Sequence, residues 1–119
     1  MEREIKFRGK HLNKWIYGYL LKNIDDNKYY ISVNLDQFYQ VKEETIGQYT
    51  GLKDKNGVEV YEGDKVMFDY EWTKPDEIGV VTWNKDTASF QIKGHIPSSS
   101  MKRLDRMKVI GSVYENEVD

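Results

Sequence analysis

The sequence predicts a mainly β protein with at most one or two short helical turns. Three observations carry this. Apolar and polar residues alternate over short runs, the period of strands with one buried face. Valine, isoleucine and tyrosine are frequent, while alanine occurs once, at Ala88, a balance that favours strands over helices. Asp-Asn, Asn-Gly and Gly-Asp pairs punctuate the runs as turn signals.

Ile5 and Phe7 alternate with Glu4, Lys6 and Arg8 as a first short strand, and Gly9 to Asn13 reads as a turn. Trp15, Tyr17, Tyr19 and Leu21 then share one face of a long strand, with Ile16, Gly18 and Leu20 on the other. Apolar residues on both sides predict that both faces are covered. Asn23 to Asn27 is turn chemistry, and Tyr29, Ile31 and Val33 alternate along the returning strand of a hairpin. Asn34 to Lys42 reads equally as a loop or a short helical turn. Thr45 to Thr50 is a further strand.

The segment from Thr50 to Val66 is dominated by turns. Asn56-Gly57 predicts a two-residue type I′ turn with positive φ at both positions, and Glu62-Gly63-Asp64 predicts a second turn. Asn56, Gly57, Gly63 and Asp64 are therefore assigned structural roles. Four strands follow, near residues 64–72, 77–84, 88–93 and 108–114. Pro75 and Pro97 fall in the loops between them, and Met101, Leu104 and Met107 lie at helical spacing behind a Ser99 or Ser100 cap. Short antiparallel strands with one helical turn and a closing strand describe a small SH3-like barrel. With 119 residues, one domain is expected. A soft boundary near Gly51 gives an N-terminal β-hairpin subdomain, 1–50, and the SH3-like β-barrel, 51–119.

Composition narrows the function classes. Without cysteine, disulfides, thiolate metal sites and cysteine nucleophiles are excluded. The Met1-Glu2-Arg3-Glu4 start is no secretory signal, and no apolar run approaches the roughly 20 residues of a membrane span. The formal net charge of −2 lacks the strongly basic footprint of a nucleic-acid binder. The charge is uneven, however. Residues 1–24 hold six basic and two acidic residues, and residues 25–64 hold four basic and nine acidic ones.

The run Gln48-Tyr49-Thr50-Gly51-Leu52-Lys53-Asp54-Lys55-Asn56-Gly57, followed by Tyr61-Glu62-Gly63-Asp64-Lys65-Val66, resembles the signature of the YopX family of small bacteriophage and prophage proteins. Three further pieces match in order: Ile5 to Gly9 with Trp15 and Tyr17-Gly18, then Gly79-Val80-Val81 with Phe90, then Val109 to Asn116. The resemblance covers roughly residues 4–118, although Asn23 to Lys42 carries no match. It implies a mainly β fold with a C-terminal SH3-like barrel and a place in the bacterial host cytoplasm. It brings no activity, cofactor or catalytic residue with it.

The chemistry-bearing residues read blandly. His11 and His95 sit in a predicted turn and a predicted loop without another His or a carboxylate at a ligand spacing such as i, i+4, so no metal is expected. Asp54, Glu59, Glu62 and Asp64 cluster in sequence, but turns explain them without a cation. Ser98 to Ser100 lack a nucleophile-elbow context, and no phosphate-binding glycine pattern is present. No catalytic residue and no cofactor is expected. Lys6, Arg8 and Lys14 lie beside Trp15 and Tyr17, and Arg103 and Arg106 form a second basic cluster. Cations beside rings suit single-stranded nucleic acid, whereas tyrosine and tryptophan also anchor protein interfaces. The expectation is a non-enzymatic phage or prophage protein that acts as a protein-interaction or assembly module, its partner another protein or a second copy of the chain. A nucleic-acid-binding accessory protein is the alternative, and a carboxylate-based enzyme comes third.

Overall fold

The computed structural model describes residues 4–68, 78–94 and 104–115. The described chain is strands joined by turns, with two short 3-10 turns and no other helix. It divides into two compact units, one formed by the residues up to Tyr49 and the other by Thr50–Glu115.

The first unit contains β1 (Phe7–His11), β2 (Lys14–Asn23), β3 (Lys28–Asn34), β4 (Gln37–Val41), a 3-10 turn (Glu43–Thr45) and the start of β5 (Gly47–Lys53). Its strand order is β4-β3-β2-β1-β5, with antiparallel pairing throughout. It is more than a hairpin because Asn34 to Lys42, left open by the sequence, supplies a third hairpin strand. Leu35 and Asp36 form the turn, with the Asp36 N–H donating to the Asn34 Oδ1 at 2.9 Å. The sheet coils until the end of β4 reaches β1. The Lys42 N–H donates to the Lys10 carbonyl at 3.0 Å, and the Lys10 N–H donates to the buried Thr45 Oγ1 at 2.9 Å. Gly9 permits this closure, since a Cβ there would lie 2.8 Å from the Val41 Cβ. Ile31 and Val41 form the buried inner face.

The turn expected over Gly9 to Asn13 shrinks to Leu12 and Asn13, because Gly9 and Lys10 continue β1. Both turn residues have positive φ, 48° and 71°, the geometry of a two-residue type I′ hairpin. Leucine is poorly suited to that region, where its Cβ crowds the following carbonyl. Leu12 is also exposed, so its side chain gains little there. Replacing Leu12 with Asn is expected to raise stability by about 1 kcal/mol. A melting curve that is unchanged or lower would refute this.

The second unit contains the rest of β5, with β6 (Glu59–Tyr61) beside it, and a four-stranded antiparallel sheet of order β10-β7-β8-β9. These strands are β7 (Asp64–Phe68), β8 (Ile78–Asn84), β9 (Ser89–Gly94) and β10 (Met107–Ser112). Val60, Val66, Val81, Ile92, Leu104 and Met107 form its buried core, with Phe90 and Val109 against it. Each such aliphatic side chain stabilises by about 1.5–3 kcal/mol on full burial. The final strand lies beside β7, but no closed barrel is present among the described residues. Leu104 and Met107 are buried as the helical spacing suggests, although Met107 already begins β10. The expected loop and cap residues Pro75, Pro97, Ser98 to Ser100 and Met101 lie outside the described residues.

Candidate interaction surface

Alternate residues of a strand share a face, and so do directly paired residues of neighbouring strands. The first unit's register therefore builds two rows across β2, β3 and β4. Tyr19 pairs with Ser32 and Ser32 with Phe38, while Leu21 pairs with Tyr30 and Tyr30 with Gln40. Tyr17 continues the face along β2. Instead of being covered, as alternation on both faces of β2 predicted, this face is open. Tyr17 is 46% exposed, Tyr19 69%, Leu21 42% and Phe38 53%. Three strands cannot bury both of their faces when the coil of the sheet encloses only one.

Leu21, Lys22, Asn23, Tyr30 and Phe38 line a shallow groove of about 490 Å³ on this side. One end is fixed by the β2–β3 turn. The Tyr30 hydroxyl donates to the Asp26 Oδ2 at 2.6 Å, and the Lys28 N–H donates to the Asp26 Oδ1 at 2.9 Å. These bonds, Tyr30's first, hold the Asp26 carboxyl below its ordinary range. The same bond raises the Tyr30 phenol. Tyr30 therefore stays a neutral, oriented ring at the groove wall.

The basic and aromatic residues singled out from sequence fall into different environments. Lys6, just before β1, and Arg8 and Lys10 within it each lie over a ring. The Lys6 Nζ lies 5.3 Å from the Tyr49 ring centre, the Arg8 Cζ 4.0 Å from that of Trp15, and the Lys10 Nζ 5.2 Å from that of Trp15. Arg8 and Lys10 are each only 5% exposed. Both cations lie against the half-buried Trp15 ring, a cation–π arrangement that strengthens when water is removed. Lys14 is exposed at the start of β2 and stacks on neither ring. Lys6 also pairs with Glu4 at 2.8 Å. Arg106 is exposed in the second unit, and Arg103 lies outside the described residues.

The Thr50–Val66 segment is occupied by structural bonds. Asn56 is not among the positive-φ residues, whereas Gly57 has φ 79°, so the expected two-residue type I′ turn is not formed. The Gly57 N–H donates to the Asp54 carbonyl at 3.0 Å, and the Asp54 N–H donates to the Val58 carbonyl at 2.9 Å. This is a three-residue loop with glycine in the left-handed position. The extra residue is accommodated because Asp54 organises the loop. Its Oδ1 accepts the N–H groups of Asn56 and Val58 at 2.8 and 2.9 Å, and its Oδ2 accepts that of Val109 at 2.9 Å. The Lys55 N–H also donates to the Met107 carbonyl at 2.9 Å. The loop thus binds the outer edge of β10 as a neighbouring strand would. The second turn centres on Gly63, with φ 95°, and the buried Asp64 accepts the Tyr61 N–H on its Oδ2 at 2.8 Å. These carboxylates are turned to backbone amides and not to a cleft.

Sequence reasoning missed His11. It is the last residue of β1, with its ring 5.4 Å from that of Tyr39 and its Nδ1 2.8 Å from the Gln40 carbonyl oxygen. Its turn neighbours gave no sign of this, because β4 itself was not readable. His95 lies outside the described residues. Among the described residues, no three His, Asp or Glu side chains gather to hold a metal ion. No described helix is long and apolar enough to cross a membrane.

Comparison with known proteins places this arrangement. No match is found among curated proteins. The crystal structure of protein EF1440 from Enterococcus faecalis is similar, with a TM-score of 0.56 over 97% of this chain and 96% of that one, at 20% identity. That likeness concerns the fold alone. The family model described as YopX protein matches residues 6–118. The match spans both units and the turn segment between Thr50 and Val66, and the chain belongs to the YopX family.

Proposed function

We propose that the chain is a phage or prophage protein that acts in the bacterial cytoplasm by binding another protein, without catalysis of its own. The observation that carries this reading is the open face of Tyr17, Tyr19, Leu21 and Phe38 with its groove. Rigid aromatic side chains on a sheet offer contact area at little entropic cost, which suits a hot spot. An SH3-like relation of the second unit remains part of the proposal, supported by the return of β10 to the side of β7.

Nucleic-acid binding is the second reading, favoured by the Lys6-Arg8-Lys10 stripe beside two rings. The burial of Arg8 and Lys10 weighs against it, because phosphate contacts need cations at the surface.

The test compares wild type with the double variant Tyr19→Ser/Phe38→Ser. Both are used as bait in cells carrying the phage or prophage, and both are titrated with single-stranded DNA, duplex DNA and RNA at two salt concentrations. A protein partner held at moderate salt and weakened at least about tenfold in the variant, with an unchanged melting temperature, is the expected result. A partner held equally by both chains overturns the assignment to this face. Strongly salt-dependent nucleic-acid binding without a protein partner would favour the second reading.

A further inference from the structure

Asn56-Gly57 is the one asparagine–glycine pair in the sequence. The loop explains its backbone but gives its carboxamide no task. The side chains of Asn23, Asn34 and Asn84 are each held by a bond to a nearby group, and Asn13 and Asn27 are each followed by lysine. Asn56 is exposed, and its carboxamide makes no hydrogen bond among the described residues. The amide nitrogen of the next residue can attack a side chain of this kind, and glycine, lacking a Cβ, obstructs the approach least. Even a Cβ at Gly57 would meet nothing within 4 Å, so the surroundings leave room for the ring that must form.

We propose that Asn56 is a site of spontaneous deamidation, held closed by the Asp54 clamp and exposed to reaction when that clamp releases. The Gly57 nitrogen bonds to the Asn56 Cγ, and its proton leaves with the side-chain amide as ammonia. Water then splits the resulting five-membered succinimide. Opening at one carbonyl gives an aspartyl residue. Opening at the other gives an isoaspartyl residue, in which the chain runs through the former side chain. Nothing is oxidised or reduced, and water is the only co-reactant.

The native loop opposes each requirement. The Gly57 nitrogen keeps its proton in the bond to the Asp54 carbonyl at 3.0 Å. A loop of this type sets the Asn56 ψ at about 0°, whereas ring closure needs the Gly57 nitrogen turned toward the Asn56 Cβ. That rotation is resisted from both sides, because the Asp54 Oδ1 holds the N–H groups of Asn56 and Val58. The isoaspartyl product cannot return to this geometry. It lengthens the backbone before Val58 and sets a second carboxylate beside that of Asp54, where like charges repel. The Asp54 Oδ2 also holds the Val109 N–H, so the modification reaches the edge of β10. Because the change is irreversible, the chain records the time this loop has spent open.

Wild type is incubated at mildly alkaline pH, folded and in guanidinium chloride, beside folded Asp54→Asn and Asn56→Gln. Peptide mass spectrometry reads the conversion of amide to acid at each asparagine, and labelling by an isoaspartyl methyltransferase reads the isoaspartyl product. Modification at Asn56 is expected to run at least about tenfold faster in denaturant than in folded wild type, because a site that reacts only when open follows its open population. Folded Asp54→Asn is expected to exceed folded wild type at least about fivefold, since part of the clamp is lost. Asn56→Gln is expected to lose the label from this peptide, because its longer side chain closes a less favourable ring. Equal rates in folded and denatured wild type overturn the guard. Modification spread evenly over the asparagines in denaturant overturns the site. A folded Asp54→Asn chain that follows wild type overturns the role of the clamp. Should that variant prove unfolded by circular dichroism, Asp54→Ser, which keeps one side-chain acceptor, is judged by the same criterion. Wild type enriched in the isoaspartyl form and refolded is expected to melt below the unmodified chain, and an equal melting temperature overturns the link to β10.

Discussion

Replacing Asp54 with Ala is expected to destabilise the fold by about 2–4 kcal/mol, since hydrogen bonds to a charged group contribute about 1.5–3 kcal/mol each and do not add fully. The side chain is buried, and three backbone N–H groups depend on its two oxygens. Alanine would leave those amides without their acceptor in partly buried bonds, where a lost partner costs up to about 1–3 kcal/mol and less where water can reach. The damage is not confined to the loop, because Val109 belongs to β10 and loses its outer partner. Asp54→Asn separates the two halves of the clamp. Its remaining oxygen serves Asn56 and Val58, while its amide faces the Val109 N–H as donor against donor. That variant is expected to lose roughly half as much stability. Urea denaturation reads both, and an Asp54→Ala chain with a wild-type midpoint would remove the clamp from the account. If Asp54→Asn keeps stability but loses partner binding, the carboxylate regains standing as a functional group.

Gly18→Ala is the second large effect, expected to cost at least about 3 kcal/mol as an overpacked backbone contact. A Cβ at Gly18 would overlap the Ser32 carbonyl and press on Ile31. The obstacle is backbone, so no rotamer change relieves it. Strand β3 must move away from β2 at Tyr19 and Ser32, the row that carries Phe38. The open face is then distorted together with the fold. Gly51→Ala is the control, because its φ of 86° strains alanine while nothing lies within 4 Å of the added carbon. That change is expected to cost about 1–2 kcal/mol. Equal losses in the two variants would show that conformation alone, and not the close approach to Ser32, governs position 18.

The turns of the Thr50–Val66 segment were legible because glycine and asparagine report backbone requirements locally. Even there the loop type was not, since Asp54 replaces the expected two-residue geometry with a three-residue one held by its carboxylate. The long β2 strand was legible from its alternation, yet the same alternation misled about its faces. Apolar residues on both sides of a strand say that both sides are apolar, and only the coil of the sheet says which side is enclosed. Similarly, Arg8 and Lys14 are equivalent in sequence as cations near Trp15. One lies under the indole and the other in solvent, a difference made by pairing across β1 and β2.

The sequence by itself determined a mainly β chain, the positions of its strongest turns and its membership of the YopX family, because strand period, turn chemistry and signature residues are local properties. Only the tertiary structure decided that Tyr19, Leu21 and Phe38 form one open face, that Asp54 closes the edge of β10, and that His11 reaches the Gln40 carbonyl. The last of these joins residues 29 positions apart, and the Asp54 to Val109 bond joins residues 55 apart. Contacts at such separations depend on register and sheet curvature, which no run of neighbouring residues encodes.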